Sequence, residues 1–301
     1  MEKVTLIITV KNEANNISEL LHSIEAQSTL PDEVVIADGG STDTTLQILH
    51  SWKPNFRVKI LKKPGNRSIG RNAAINAASH PLIAITDAGC VLDKSWLTEL
   101  LKAFAPTVEV VAGYYKALAN TSFERAAAAY MLVMPEHINA QEFLPATRSM
   151  ALRKKTWEKI GKFDERYTFN EDYVFAKKLK KQQVQMAFAE KAIVFWHPPT
   201  TWNAFFLQVY KFAYGDAYAG ILRSKVVLIF ARYLIFLLLS VVPFVFWPVI
   251  AAYFIWAVVK SYKHVGSIDA ILLLPIMQVG TDLTVMAGTL LGGAQRITHA
   301  G

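Results

Sequence analysis

The 301-residue chain is 52% hydrophobic, with a formal net charge of +8 and a mean hydropathy of +0.25. That apolarity is high for a wholly soluble protein and sits mostly in the last quarter, where 226–259 carry one charge, Arg232, and 270–295 carry one, Asp282; such runs read as membrane spans. The single cysteine, Cys90, excludes an internal disulfide and fits a reducing compartment, while the mildly basic first 225 residues suit anionic headgroups or phosphorylated substrates and carry no nucleic-acid recognition motif.

In chain order, Val4–Val10 is apolar throughout, as in a strand buried on both faces, and too short for a signal peptide. Ile17, Leu20, Leu21 and Ile24 mark one face of a helix. Val34–Ala37 predicts a second strand ending in Asp38-Gly39-Gly40, and Ser41-Thr42-Asp43 can cap the helix that follows. Val58–Leu61 predicts a third strand, Ser68–Ala78 a helix, and Leu82–Thr86 a fourth strand. A helix over Lys94–Phe104 follows, with Asp93 at its start. This βαβαβαβ order predicts an α/β domain with a mainly parallel sheet covered by helices. Glu171-Asp172 opens another helix, with Val174, Phe175 and Leu179 on its apolar face, and KKLKK at 177–181 reads as its solvated side. Ala192–Trp196 predicts a strand running into His197.

Parallel sheets bind ligands at the carboxyl ends of their strands. Three polar clusters fall there: Asn12-Glu13, Asp38 and Asp87. Turns and caps explain any one of them, but the coincidence of three points to a site. GGSTDTT lacks the G-x-G-x-x-G spacing, which argues against a dinucleotide-binding dehydrogenase, and no G-x-x-x-x-G-K-[ST] loop is present. Arg67 and Arg71 lie four apart on one helix face, where guanidinium groups suit a diphosphate; a plain surface helix explains Arg67 equally well.

VVIADGGSTDTT, GNRSIGRNAAINAASHPLIAITDAG and GKFDERYTFNEDYVFAKKLKK, in this order, resemble glycosyltransferase family 2, whose fold is GT-A. The resemblance covers roughly residues 4–200. It implies transfer of a sugar from a nucleotide diphosphate donor with inversion at the anomeric carbon. Asp38 matches the family acid that reads the nucleotide base, Asn12 and Glu13 the loop lining that pocket, and Arg67 and Arg71 the stretch near the phosphates. Asp87 matches the first acid of the DxD motif, which holds the donor ribose and a divalent cation, Mg or Mn. The second acid is replaced by Gly89, so direct metal binding by this loop is in question, and Cys90 is too soft a ligand to substitute. His197 stands where related members place a histidine that reaches the metal or diphosphate; a loop histidine stacked between Trp196 and the prolines is the competing reading. Glu171-Asp172 matches the family ED pair, with Asp172 as general base for the acceptor hydroxyl. Residues 135–148 correspond to a loop over the acceptor site.

The expected layout is a GT-A catalytic domain over 1–200, an amphipathic interfacial helix over 201–225, and a membrane domain over 226–301. One helix over 226–259 would be about 51 Å long against a hydrocarbon core of about 30 Å, so two helices turning near Pro243–Pro248 fit better, as a crossing or re-entrant hairpin. A further span covers 270–293. Basic residues at both ends of 226–259 place both ends, and the catalytic domain, in the cytosol at the cell membrane as a multi-pass protein. The G-x-x-x-G of Gly288–Gly292 allows close helix packing, and Asp282, an acid within a span, has Arg232 as its candidate partner. Gln208–Phe212 is only a degenerate match to the QxxRW of processive members. The expectation is a transferase using a UDP- or GDP-linked sugar and a lipid-linked or membrane-delivered acceptor, in cell-envelope polysaccharide or glycolipid synthesis. The alternatives are a polyprenyl-phosphate sugar synthase and a degenerate nucleotide-sugar-binding scaffold.

Overall fold

The structure, a computed structural model, describes residues 2–300. In chain order the elements are β1 (Val4–Val10), α1 (Ile17–Glu25), β2 (Glu33–Asp38), α2 (Thr45–Ser51), β3 (Arg57–Lys62), α3 (Arg67–Ala77), β4 (Leu82–Asp87), β5 (Cys90–Leu92), α4 (Trp96–Lys102), β6 (Val110–Ala117), α5 (Ser122–Met131), β7 (Met150–Arg153), α6 (Lys154–Lys159), α7 (Glu171–Lys181) and β8 (Met186–Trp196). Four longer helices complete the chain: α8 (Trp202–Tyr218), α9 (Ser224–Leu239), α10 (Pro243–Val265) and α11 (Ala270–Ala300). They fall into two compact units, one of residues up to Lys116 with Glu136–His197, the other of Ala117–Pro135 with the chain from Pro198 onward. Residues 117–135 thus cluster with the C-terminal helices and not with the sheet that surrounds them in sequence.

The first unit is built on an eight-stranded sheet of order β3-β2-β1-β4-β7-β6-β8-β5. The four strands expected from the apolar runs pair in parallel, β3 with β2, β2 with β1 and β1 with β4. The remaining half departs from a mainly parallel sheet, since β7 runs antiparallel to both β4 and β6, and β5 antiparallel to β8. β5 and β7 are too short, at three and four residues, to leave a period-2 signal.

Alternation along each strand divides the core in two. Leu6, Ile8, Val34 and Ile36 pack with Ile17, Leu20 and Ile24 of α1 and Trp96, Leu97 and Leu100 of α4. Ile7, Val35, Ala37, Ile83 and Ile85 face the other way, onto Ala74 and Ile75 of α3, Trp157 of α6, and Phe175 and Leu179 of α7. Helices α3 and α7 therefore share one core although about a hundred residues separate them.

Glu33 begins β2 at the end of the sheet away from the helix-entry loops. It is fully buried, yet fully partnered, by Lys59 Nζ at 2.7 Å, Thr5 Oγ1 at 2.9 Å, and the Ser79 amide and hydroxyl at 2.8 and 3.0 Å. Burial would push its carboxyl up, but these donors outweigh it and hold it at about 2.

In the second unit a capping box opens α5, with Thr121 Oγ1 accepting from the Glu124 amide and Glu124 Oε2 accepting from that of Thr121. Arg125 Nε donates to the Val265 carbonyl at 2.7 Å and Tyr130 Oη to that of Leu274 at 3.2 Å, so α5 clasps the turn between α10 and α11. The 226–259 run is two helices, as its length required, broken at 240–242. α10 and α11 are long and apolar enough to cross a membrane. Their surfaces are not those of core helices, since Phe244, Trp247, Val259 and Leu272 are 66–82% exposed. α9, at 16 residues, spans about 24 Å. Asp282, only 1% exposed, pairs with Arg232 as expected and also accepts from Tyr253 Oη at 2.5 Å and Gln278 Nε2 at 2.9 Å. Gly288 and Gly292 face α8, where a Cβ would meet the carbonyl oxygens of Tyr210 and Tyr214.

Two outcomes follow from this packing. Gly292→Leu should drive α8 from α11 and lower stability by about 1–3 kcal/mol, read as a lower unfolding midpoint of the detergent-solubilised chain. Glu33 binds its proton less readily folded than unfolded, so its stabilisation is fully present above pH 4.5, its unperturbed value, and fades as pH falls towards 2. The acid limb of a stability–pH curve should therefore flatten in Glu33→Gln relative to the parent chain.

Candidate active site

The loops at the carboxyl ends of β1 and β2 are laced together. Asn12 adopts a left-handed backbone with φ 56°, which asparagine tolerates better than most side chains. Its amide donates to Ser41 Oγ at 2.9 Å and its Oδ1 accepts from the Thr42 amide at 2.8 Å. The Glu13 amide donates to Thr45 Oγ1 at 2.8 Å. Burial pushes the Glu13 carboxyl up, against the pull of Asn16 and Arg67.

Asp38, the expected base-reading acid, lies at the end of β2 and shapes the turn that follows. It is fully buried, and its oxygens accept from the Gly40 amide at 3.1 Å, the Ser41 amide at 3.1 Å and Ser41 Oγ at 2.5 Å. It holds its own turn and presents Ser41.

Arg71 is the centre of the site. It lies on α3, is 1% exposed, and bridges two carboxylates from distant parts of the chain. Its Nη2 donates to Asp87 Oδ1 at 2.7 Å and its Nη1 to Glu171 Oε1. The last residue of β4 and the first of α7 are thus joined through one guanidinium. Burial disfavours its charge, but the Asp87, Glu171 and Asp172 carboxylates outweigh that and strengthen its hold on the proton. Burial likewise pushes Asp87 up, and Arg71, helped by Arg67 and Arg148, brings it below the usual carboxylate range. At Glu171 burial prevails over Arg71, with the Asp172 charge adding to it, and the carboxyl is raised. Arg67, one turn before Arg71, is exposed at the start of α3.

Asp172 is half-buried on the first turn of α7, which follows the left-handed Asn170 at φ 56°. A residue with no obvious sequence signal secures that end of the site. Asn72 donates to the Phe163 carbonyl at 2.8 Å and Glu165 Oε1 at 2.9 Å, and accepts from the Phe163 amide at 3.1 Å and Trp157 Nε1 at 3.3 Å. It fastens the segment before α7 to α3. In the 136–148 loop, the Phe143 ring packs on Phe188 at 4.4 Å.

His197 is not brought to Asp87 by any bond among the described residues; its Nε2 meets Glu19 Oε2 of α1 at 2.9 Å. The β5–β8 register pairs Cys90 with Trp196, and continuing it by one residue sets His197 across from Gly89. Burial, with the Asp87 charge adding, pushes the Cys90 thiol up to about 12. Among the described residues no three of His, Cys, Asp and Glu gather into a metal cage. Asp87 still offers one oxygen that Arg71 does not use. One carboxylate suffices for a magnesium-type cation that arrives on a diphosphate, so the donor set fits a substrate-borne ion and not a resident one.

The family model for glycosyl transferase family 2 matches residues 5–163. The chain is 26% identical over 200 residues to glycosyltransferase AglE of Haloferax volcanii, covering 63% of this chain and 65% of that one. It is 23% identical over 205 residues to the O-antigen chain rhamnosyltransferase RfbN of Salmonella typhimurium, covering 64% and 65%. The chain thus spans just under two thirds of the length of these relatives. Among solved structures, the mannosyltransferase PcManGT from Pyrobaculum calidifontis, in complex with GDP-Man and Mn2+, superposes with a TM-score of 0.64 at 19% identity, over 97% of this chain and 87% of that one. That likeness is one of fold, the GT-A fold.

Removing one partner of a buried ion pair strands the others. Arg71→Met should lower stability by about 3–5 kcal/mol, with Arg71→Lys recovering only part, because a single ammonium cannot fork between two carboxylates. Urea unfolding followed by tryptophan fluorescence measures this; a Met variant within about 1 kcal/mol of the parent would show that the clamp carries no stability.

Proposed function

The chain belongs to glycosyl transferase family 2, and on that footing we propose that it is a membrane-associated, inverting glycosyltransferase, moving a sugar from a nucleoside diphosphate sugar to an acceptor delivered at the membrane. The observation that carries this reading is the Arg71 bridge, which sets a strand-end carboxylate, Asp87, beside the acidic helix start of Glu171 and Asp172. A donor held at the carboxyl ends of β1, β2 and β4 lies where open α/β sheets bind ligands, and the acids of α7 stand on the acceptor side. The PcManGT complex, with its GDP-Man and Mn2+, supports a nucleotide-sugar donor, and the rhamnosyltransferase name of RfbN supports sugar transfer.

In this mechanism Asn12, Glu13 and the Ser41 turn held by Asp38 line the nucleotide pocket, and Arg67 faces the phosphates. Asp172 accepts the proton of the acceptor hydroxyl as that oxygen attacks the anomeric carbon. The bond from that carbon to the diphosphate oxygen breaks, and the nucleoside diphosphate leaves with the bonding pair. Glu171, tied to Arg71, fixes the helix start so that Asp172 is aimed. Asp87, with His197 once it leaves Glu19, would hold a Mg or Mn ion, whose charge supports the departing diphosphate.

The acceptor is lipid-linked in this reading, as in the building of an envelope polysaccharide or glycolipid. α10 and α11 are long and apolar enough to cross a membrane, and an apolar groove of about 980 Å³ between them, lined by Phe254, Val258, Leu272 and Ile276, suits a hydrocarbon chain. The multi-pass arrangement with a cytosolic catalytic unit belongs to the same proposal.

The test is transfer of label from UDP- and GDP-sugars to extractable lipid by the full chain in native membranes with Mn. Asp172→Asn should reduce transfer by about 10²–10⁴-fold while nucleotide binding persists. Transfer at the parent rate would remove Asp172 as the base, and a parent chain that binds no nucleotide sugar would remove the activity altogether.

A further inference from the structure

Gly89 is not imposed by packing, since a Cβ there would meet nothing within 4 Å. The backbone accommodates an acid, yet none is present. The strand beside it carries a cation instead. β7 runs antiparallel to β4 with Ile85 opposite Met150, and continuing that register by two residues sets Arg148 across from Asp87. Thr86 Oγ1 donates to the Arg148 carbonyl at 2.9 Å, and Ser149 closes a turn on Ala146 at 3.0 Å, which holds the backbone in place. The guanidinium carbon lies 4.6 Å from the Trp196 ring centroid and 5.6 Å from that of Tyr115.

A cation–π contact of this kind consumes none of the guanidinium's N–H donors as hydrogen bonds. Among the described residues those donors make no hydrogen bond and no ion pair. Asp87 is ion-paired with Arg71 and feels the charge of Arg148 only at a distance, with no ion pair between them. A cation seated against two aromatic rings with open donors, beside a strand-end carboxylate, is suited to a planar or tetrahedral oxyanion.

We propose that Arg148 binds the diphosphate of the nucleotide donor and supplies, from the protein, part of the positive charge that a second metal-ligating acid at position 89 would otherwise secure. This rests on the nucleotide-sugar reading above. It makes Arg148 a substrate-binding residue and predicts that nucleoside diphosphate binding tolerates loss of divalent cation better than a two-acid loop would allow. With Arg148 removed, binding leans on the cation.

Calorimetric titration of the full detergent-solubilised chain with GDP and UDP, and with guanosine and uridine, tests the assignment in Mn and in EDTA. Arg148→Ala should weaken diphosphate binding by about tenfold or more, more in EDTA than in Mn, with nucleoside binding unchanged. Arg148→Lys should recover part of the loss. Arg57→Ala, which removes a cation near Glu33 at the other end of the sheet, should change neither. If Arg148→Ala binds the diphosphate as the parent does, or loses nucleoside and diphosphate in equal proportion, the inference falls and the activity reading stands. If the parent binds no nucleoside diphosphate in either condition, both fall.

Discussion

The site depends on one buried guanidinium. Desolvating a single charge is costly, and a buried Arg is tolerated when carboxylates meet it in good geometry. Arg71 has two, Asp87 from β4 and Glu171 from α7, and neither would be stable at its depth without it. The bridge requires α3 and α7 to pack on the same face of the sheet, which the alternation of Ile7, Val35, Ile83 and Ile85 arranges. It also requires the segment before α7 to be pinned, which Asn72 does with its amide group. Core packing, a satisfied asparagine and an ion-pair triad thus act as one device that aims the start of α7 at the end of β4.

Around that triad the protein places its remaining charges economically. Glu33 is as buried as any acid in the chain, but its partners are complete and it faces away from the loops, so it reads as structure. Asp38 is also consumed by its surroundings. What stays open at the strand ends is the second oxygen of Asp87, the exposed Arg67, the half-buried Asp172, and the stacked guanidinium of Arg148. In the proposed transfer, these are the groups left to take a proton and to meet a diphosphate.

The second unit solves a different problem. Its helices leave large apolar side chains on the surface, so beside a small apolar core around Phe205, Val209, Leu274 and Met277 its internal order comes from close backbone approach and from polar pairing. Gly288 and Gly292 let α11 approach the carbonyls of α8, and Asp282 gathers Arg232, Tyr253 and Gln278 from three helices. An acid so placed is costly in an apolar setting unless paired, and its partners specify which faces of α9, α10 and α11 meet.

Much of this was determined by local sequence. Unbroken apolar runs identify β1 to β4, because a parallel strand buried on both faces needs no polar residue. The length of the apolar run 226–259 and its prolines anticipate two helices, and the chain breaks at 240–242. Polar clusters after β1, β2 and β4 point to a site, and the small-residue spacing marks the packing face of α11. Tertiary structure alone decided the rest. β5 and β7 are too short to carry a period, and pairing with β8 and β4 creates them. Asp38 and Asp87 look alike as strand-end acids, but only the folded loops show that one bonds within its own turn and the other pairs with Arg71. Arg71, Glu171 and Asn72 act through partners about a hundred residues away, and Arg148 gains its meaning from a strand register. Long-range pairing of this kind leaves no mark on either neighbourhood in the sequence, because the residue that completes each charge is supplied by the fold.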